Sequence, residues 1–186
     1  MTAALKNKIL KKIESLKRKN GIYLFISPAE YYNLINSTIL AYYTKTRKKS
    51  GIYVTLNKSF KSISASLNEE GIDVSRLYFI DGITRTENNN AKDKNCTFIS
   101  SPHALTELSL AITTATNTGK FDFLFFDSIN TLLIYNDLKT TQKFAHYVIT
   151  KMREANLGGI IFSLDEASGK NVIPAITQFC DDSIKF

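Results

Sequence analysis

The chain reads as a three-layer α/β fold, a parallel sheet with helices on both faces. Two observations carry that expectation. Short, almost wholly apolar runs occur at residues 21–27, 51–56, 77–81, 97–100, 121–127 and 159–164, and a strand covered on both faces loses the polar alternation of a half-exposed one. Helix-length segments at residues 29–46, 60–70, 102–116, 138–156 and 171–180 separate most of these runs. Strands alternating with helices join through right-handed crossovers, which makes the sheet parallel and places helices on both sides.

The first element is a helix over residues 1–20. Leu5, Ile9, Ile13 and Leu16 recur at helical spacing, one apolar stripe. Around it stand Lys6, Lys8, Lys11, Lys12, Lys17, Arg18 and Lys19 against Glu14 alone, so most of the formal net charge of +7 sits in this segment. Two readings stay open. Either the stripe docks on the domain and the cations are solvated, or the helix attaches to an anionic membrane surface, nucleic acid or an acidic partner protein. Residues 21–186 form the single domain that follows. Its first strand, 21–27, runs into Ser27-Pro28-Ala29-Glu30, which reads as a helix start: Ser27 as N-cap, Pro28 at the first helical position and Glu30 closing a capping box. The polar stretch 82–95, rich in Asn and Asp, is expected as a surface loop, and residues 183–186 as a short strand at a sheet edge.

Composition excludes several classes. At 186 residues and 44% hydrophobic content the chain can bury roughly 70% of its unfolded surface in one core, and no apolar run approaches the roughly 20 residues that span a bilayer. The N-terminus lacks the apolar core and cleavage site of a secretory signal, so a cytoplasmic protein is expected. Cys96 and Cys180 are isolated in sequence and read as reduced structural thiols, not as a zinc site. His103 and His146 form no evident triad with Ser or Cys. The tyrosine pairs Tyr31-Tyr32 and Tyr42-Tyr43, followed by Lys45, Arg47, Lys48 and Lys49, combine aromatics with cations as single-strand binders do, but packing at a helix C-terminus accounts for them more simply.

In open α/β sheets, chemistry gathers at the carboxyl ends of the strands. Those ends carry Ser27, Asn57, Asp81, Ser100 with Ser101, Asp127 with Ser128, and Asp165 with Glu166. Asp81, Asp127 and Asp165 are candidate oxygen ligands for a divalent metal, which would suit a metal-dependent phosphohydrolase or phosphotransferase; acidic residues just past strands also cap helices.

The run Phe121 to Ser128, an apolar strand ending in Asp127-Ser128, resembles a Walker-B strand. With residues 51–56, Glu70-Gly71-Ile72-Asp73, 77–81, 98–102, 130–136 and 158–166 in that order, the chain resembles archaeal KaiC-like members of the RecA superfamily over residues 20–186. The resemblance implies a RecA-like, P-loop NTPase-type core. In that core the first strand leads into a phosphate loop, a carboxylate after the second strand activates water, and Asp127 supports magnesium. Here the chain departs from the pattern. Tyr32, Asn33 and Leu34 stand where Gly, Lys and Ser/Thr belong, no lysine lies between Lys19 and Lys45, and Asn57 and Lys58 replace the usual acidic residues. A phosphate loop needs glycine so that backbone amides can surround the anion, lysine for its charge and a hydroxyl for the metal.

The expected protein is therefore a KaiC-like pseudo-ATPase. It would bind ATP and magnesium weakly or not at all and act as a regulatory or assembly module through a protein partner or self-association. The resemblance points to archaeal signalling or motility. Glu30, within the first turn, is expected to occupy the electrostatic niche that a phosphate would use.

Overall fold

The computed structural model describes every residue except Met1, Lys17, Lys19, Asn88, Asn89 and residues 167–170. Seven strands form one sheet: β1 (Ile22–Ser27), β2 (Gly51–Thr55), β3 (Leu77–Asp81), β4 (Cys96–Phe98), β5 (Phe123–Asp127), β6 (Gly158–Leu164) and β7 (Asp182–Lys185). Their order is β4-β3-β2-β5-β6-β1-β7, and every strand pair is parallel. The helices are α1 (Thr2–Glu14), α2 (Tyr32–Ala41), α3 (Phe60–Glu69), α4 (Thr84–Glu87), α5 (Leu105–Asn117), α6 (Ile129–Tyr135), α7 (Leu138–Glu154) and α8 (Ile173–Thr177). The three-layer α/β expectation is met, and 183–186 does join an edge, beside β1.

Both faces of the sheet are covered, and the period of two along each strand divides the core chemically. Tyr23 and Phe25, Tyr53, Phe79, Phe123, Phe125 and Phe162 point to the side carrying α1, α2 and α3; Ile22 and Leu24, Ile52 and Val54, Leu124 and Ile161 point to the side carrying α5, α6, α7 and α8. One face is aromatic, the other largely aliphatic. The aromatic rings are in mutual contact: Tyr53 stacks on Phe125 at 5.1 Å between centroids, Phe125 lies 6.2 Å from Phe162, and Tyr53 lies 5.6 Å from Phe79.

Two glycines are required where side chains crowd the backbone. A Cβ on Gly51, at the start of β2, would lie 2.2 Å from the Phe123 ring, and one on Gly159 would lie 2.6 Å from Met152 Sδ.

Helix α1 docks on the aromatic side. Ile9 and Ile13 are buried, Leu5 and Leu16 half-buried against the same core, so the docked reading of the leader helix is the one the fold adopts. Lys12 donates to the Lys185 carbonyl and lies 4.8 Å over the Phe186 ring; burial and the nearby Lys8 charge lower its pKa. Arg18 pairs with Asp181. Lys6, Lys8 and Lys11 are exposed and make no ion pair among the described residues. Lys17 and Lys19 lie outside the described residues.

Two helices were not expected from sequence. The stretch 82–95 holds the single turn α4, nucleated by Asp81, and α6 follows directly on Asp127-Ser128. No helix of the described residues is long and apolar enough to cross a membrane.

Candidate functional site

Strand β1 ends at Ser27, where a phosphate loop would begin. The expected capping box does not form. Pro28 is extended (φ −57°, ψ 144°) and opens a 3-10 turn, Ala29–Tyr31, without a side-chain cap; Ser27 instead donates from Oγ to the Pro28 carbonyl at 2.8 Å. The α-helix begins only at Tyr32, again without a side-chain cap. The reason is positional: Ser27 still belongs to β1, in register with Leu164, so the chain must spend a turn before helical geometry is reached. The Glu30 carboxylate lies beside Tyr31 and raises that phenol above its ordinary pKa; it does not close the helix.

That extra turn places Tyr32 over the sheet. Its ring meets Phe162 of β6 edge-on at 5.2 Å, and its hydroxyl donates to Asp127 Oδ2 at the end of β5. Strand β6 lies between β1 and β5, so the side chain bridges the gap between the loop after β1 and the Walker-B-like carboxylate. Tyr53 of β2 donates to the same oxygen at 2.5 Å, and Asn36 Nδ2, one helical turn beyond Tyr32, lies 3.4 Å from it and 3.1 Å from the Tyr53 hydroxyl. Asn57 Nδ2 reaches the Tyr32 hydroxyl at 3.4 Å. Lys58 lies 5.6 Å over the Tyr32 ring and 3.4 Å from the Asn33 side-chain oxygen.

Asp127 is fully buried, with Oδ2 accepting from Tyr32, Tyr53 and Asn36 and Oδ1 accepting from none of the described residues. Burial pushes its pKa up, opposed by the hydrogen bonds from Tyr32 and Tyr53, the Lys58 charge and the Asn36 amide. Tyr32 and Tyr53 are held well above the ordinary phenol value by burial first and then by the Asp127 charge. Both are therefore hydroxyl donors at neutral pH, not phenolates. Ser128 is buried with its Oγ 3.4 Å from Thr131 Oγ1, and the α6 start is tied to β6 through Asn130 Oδ1, which accepts from Leu164 N and Ser163 Oγ. Leu34 packs in the aromatic core, and Asn33 faces outward.

The three candidate metal carboxylates do not converge. Asp81 and Asp127 sit on opposite sides of Thr55, one strand each away. Asp81 is consumed as a structural cap: it accepts from the Phe60, Ile83 and Thr84 amides at 2.6–2.9 Å and from the Thr84 hydroxyl. Asp165 pairs with Lys185 at 2.8 Å. Among the described residues no group of three His, Cys, Asp or Glu side chains is placed to hold a metal ion. Acidic residues at strand ends serve here to cap and to tie segments together.

Sequence reasoning named Ser27, Glu30, Tyr32, Asn33, Leu34, Asn57, Asp127 and Ser128 as a degenerate nucleotide site, and of these Tyr32, Asn57 and Asp127 meet in one hydrogen-bond network. It missed Tyr53 and Asn36. The available signal was a tyrosine hydroxyl inside a fully apolar strand and an amide inside an apolar helix, because a buried polar group must find a partner.

Tyr43 packs on Phe123 at 5.0 Å and burial pushes its pKa up to about 12, while Lys49 pairs with Asp122 at 2.9 Å. Both cysteines are free thiols, and burial raises Cys96 and pushes Cys180 up to about 12.

Among solved structures, a KaiC-like protein from the hyperthermophilic archaeon Pyrococcus horikoshii OT3 aligns with a TM-score of 0.67 over 92% of this chain and 73% of that chain, at 11% identity. At such identity the likeness is one of fold, and that fold is RecA-like. No curated protein matches the chain. Residues 39–186 match the profile of a family of unknown function, DUF7504, and the chain thus belongs to DUF7504 and folds as a KaiC-like, RecA-type domain.

Proposed function

We propose that this chain is a non-hydrolysing KaiC-like module with a regulatory or assembly role exerted through protein contacts, in keeping with the resemblance to archaeal signalling and motility proteins. One observation carries the reading: the Tyr32 hydroxyl occupies Oδ2 of Asp127, the residue that would support magnesium in a working site. A phosphate loop offers backbone amides and a lysine to an anion; this chain offers a phenol ring over Phe162, with Lys58 turned onto that ring. Asn57, where a catalytic carboxylate would stand, is a neutral donor to Tyr32 and cannot act as a base. ATP and magnesium binding are accordingly weak or absent in the usual pose.

The experiment is calorimetric titration of the chain with magnesium-ATP, combined with an assay for turnover. Binding tighter than millimolar, or hydrolysis abolished by Asp127→Ala, sinks the proposal. Self-association or docking onto an active relative is the mode of action proposed, and sedimentation of the chain alone and mixed with a KaiC-like ATPase tests it.

A second reading rests on α1. Its apolar stripe is buried in the fold, so the helix cannot also insert that face into a bilayer; what remains outward is the charge of Lys6, Lys8 and Lys11. Any attachment to an anionic membrane surface, nucleic acid or acidic protein would be electrostatic and would fall steeply with salt. Affinity unchanged between low and high salt would reject it.

A further inference from the structure

A cavity of about 250 Å³ lies on the aliphatic side of the sheet, at the amino ends of the strands, and so on the opposite face and opposite end from Asp127. Its existence has a local cause. Strand β4 is only three residues long and leaves Tyr78 of β3 half-covered, and α5 approaches this corner with Ala111 and Ala115 where longer side chains would fill the gap. The half-buried rings of Tyr78 and Phe121 stand 5.7 Å apart in its wall. Thr97 is held by the Tyr78 hydroxyl at 2.7 Å, and Thr114 and Thr118 of the α5 flank add further hydroxyls.

The charge is one-sided. Lys94 and Lys120 both line the cavity, no acidic residue does, and neither lysine makes an ion pair among the described residues. We infer that this cavity binds a small aromatic carboxylate, its ring against Tyr78 and Phe121 and its carboxylate between Lys94 and Lys120. Drug-sized ligands occupy cavities of roughly 300–1,000 Å³, so this one suits a molecule of about ten non-hydrogen atoms. Offset or edge-on packing on two rings orients the aromatic body, and charge-assisted bonds to two ammonium groups fix the anionic end. An aliphatic acid would meet the same lysines but lose the ring contacts, and a neutral aromatic amide would keep the rings but lose the charge. The site is independent of the nucleotide cleft and of the role proposed for it.

Benzoate is the probe. In titration of the isotopically labelled full chain, followed by amide NMR, sodium benzoate is expected to give saturable shifts at Thr97, Thr114 and Thr118. Benzamide and cyclohexanecarboxylate should each bind about ten-fold more weakly, the equivalent of one lost good contact. The double variant Lys94→Gln with Lys120→Gln should lose binding by a similar factor. Thr114→Trp, a substitution on the exposed rim that leaves the core untouched, should block entry. Shifts that do not saturate, that map elsewhere, or that persist in both variants would overturn the inference. Equal affinity for cyclohexanecarboxylate would overturn the aromatic assignment.

Discussion

The Tyr32 hydroxyl donates to Asp127 Oδ2 across strand β6, joining the helix after the first strand to the end of the fifth. Its consequence is a carboxylate oxygen shared by three donors, Tyr32, Tyr53 and Asn36. Tyr32→Phe keeps the ring against Phe162 and removes only the hydrogen bond. Because a bond to a charged group contributes about 1.5–3 kcal/mol, urea unfolding should show a loss at the lower end of that range, since Tyr53 and Asn36 remain. A loss below about 0.5 kcal/mol would mean that the bond does not contribute to the fold as an ordinary hydrogen bond does.

Asp127 itself should matter more. Asp127→Ala leaves the Tyr32 and Tyr53 hydroxyls without their acceptor, and each neutral buried donor left unpaired costs about 1–3 kcal/mol. Asp127→Asn keeps an acceptor and removes the charge. Burial raises the Asp127 pKa in the folded state, so the folded protein holds that proton more tightly than the unfolded chain, and the associated stability is present at low pH and lost as pH rises through the folded pKa. The melting temperature of Asp127→Asn relative to the parent should therefore improve with rising pH. A constant difference would contradict that direction.

Asp181 titrates in the opposite sense. Its burial raises the pKa, but the Ile22 amide at 2.8 Å and the Arg153 and Arg18 charges outweigh it and hold the carboxyl below its ordinary value. A carboxylate depressed in the folded state contributes stability above its unfolded pKa, and that contribution disappears as pH falls through the folded value. Asp181→Asn should destabilise at neutral pH and become equal to the parent in acid. A difference that persists in strong acid would refute the linkage.

The leader helix offers a separation of packing from charge. Ile9→Ala deletes a fully buried side chain and should cost about 2–4 kcal/mol by thermal or chemical unfolding. Replacing Lys6, Lys8 and Lys11 together by Gln should change stability by less than about 0.5 kcal/mol while reducing any salt-sensitive binding to anionic vesicles or nucleic acid.

Gly51→Ala tests the aromatic face. The added methyl would fall within the Phe123 ring, and overpacking of this kind costs about 1–3 kcal/mol or more. A neutral result would show that the ring moves freely.

The sheet was legible because its strands are near-continuous apolar runs and its crossovers leave one handedness, so element order alone implied parallel pairing. The loop 82–95 hid α4 because Asp81, a residue outside the loop's own composition, nucleates it. Helix α6 was hidden because seven residues between a strand and a longer helix give too short a period to read. The capping box at Ser27 and Glu30 satisfied every local rule and still failed, since Ser27 was already committed to pairing in β1.

By itself the sequence determined the α/β architecture and the absence of a glycine-lysine-hydroxyl loop after the first strand, both being matters of residue type along the chain. Only the tertiary structure decided what surrounds the end of that strand. Tyr32, Asn36, Tyr53 and Asp127 lie on three elements separated by up to 95 positions, and they become one hydrogen-bond cluster because the sheet sets β2 and β6 beside β5 and a turn carries α2 over it. Local propensity carries no record of that proximity; the partner of a buried polar group is chosen by the fold.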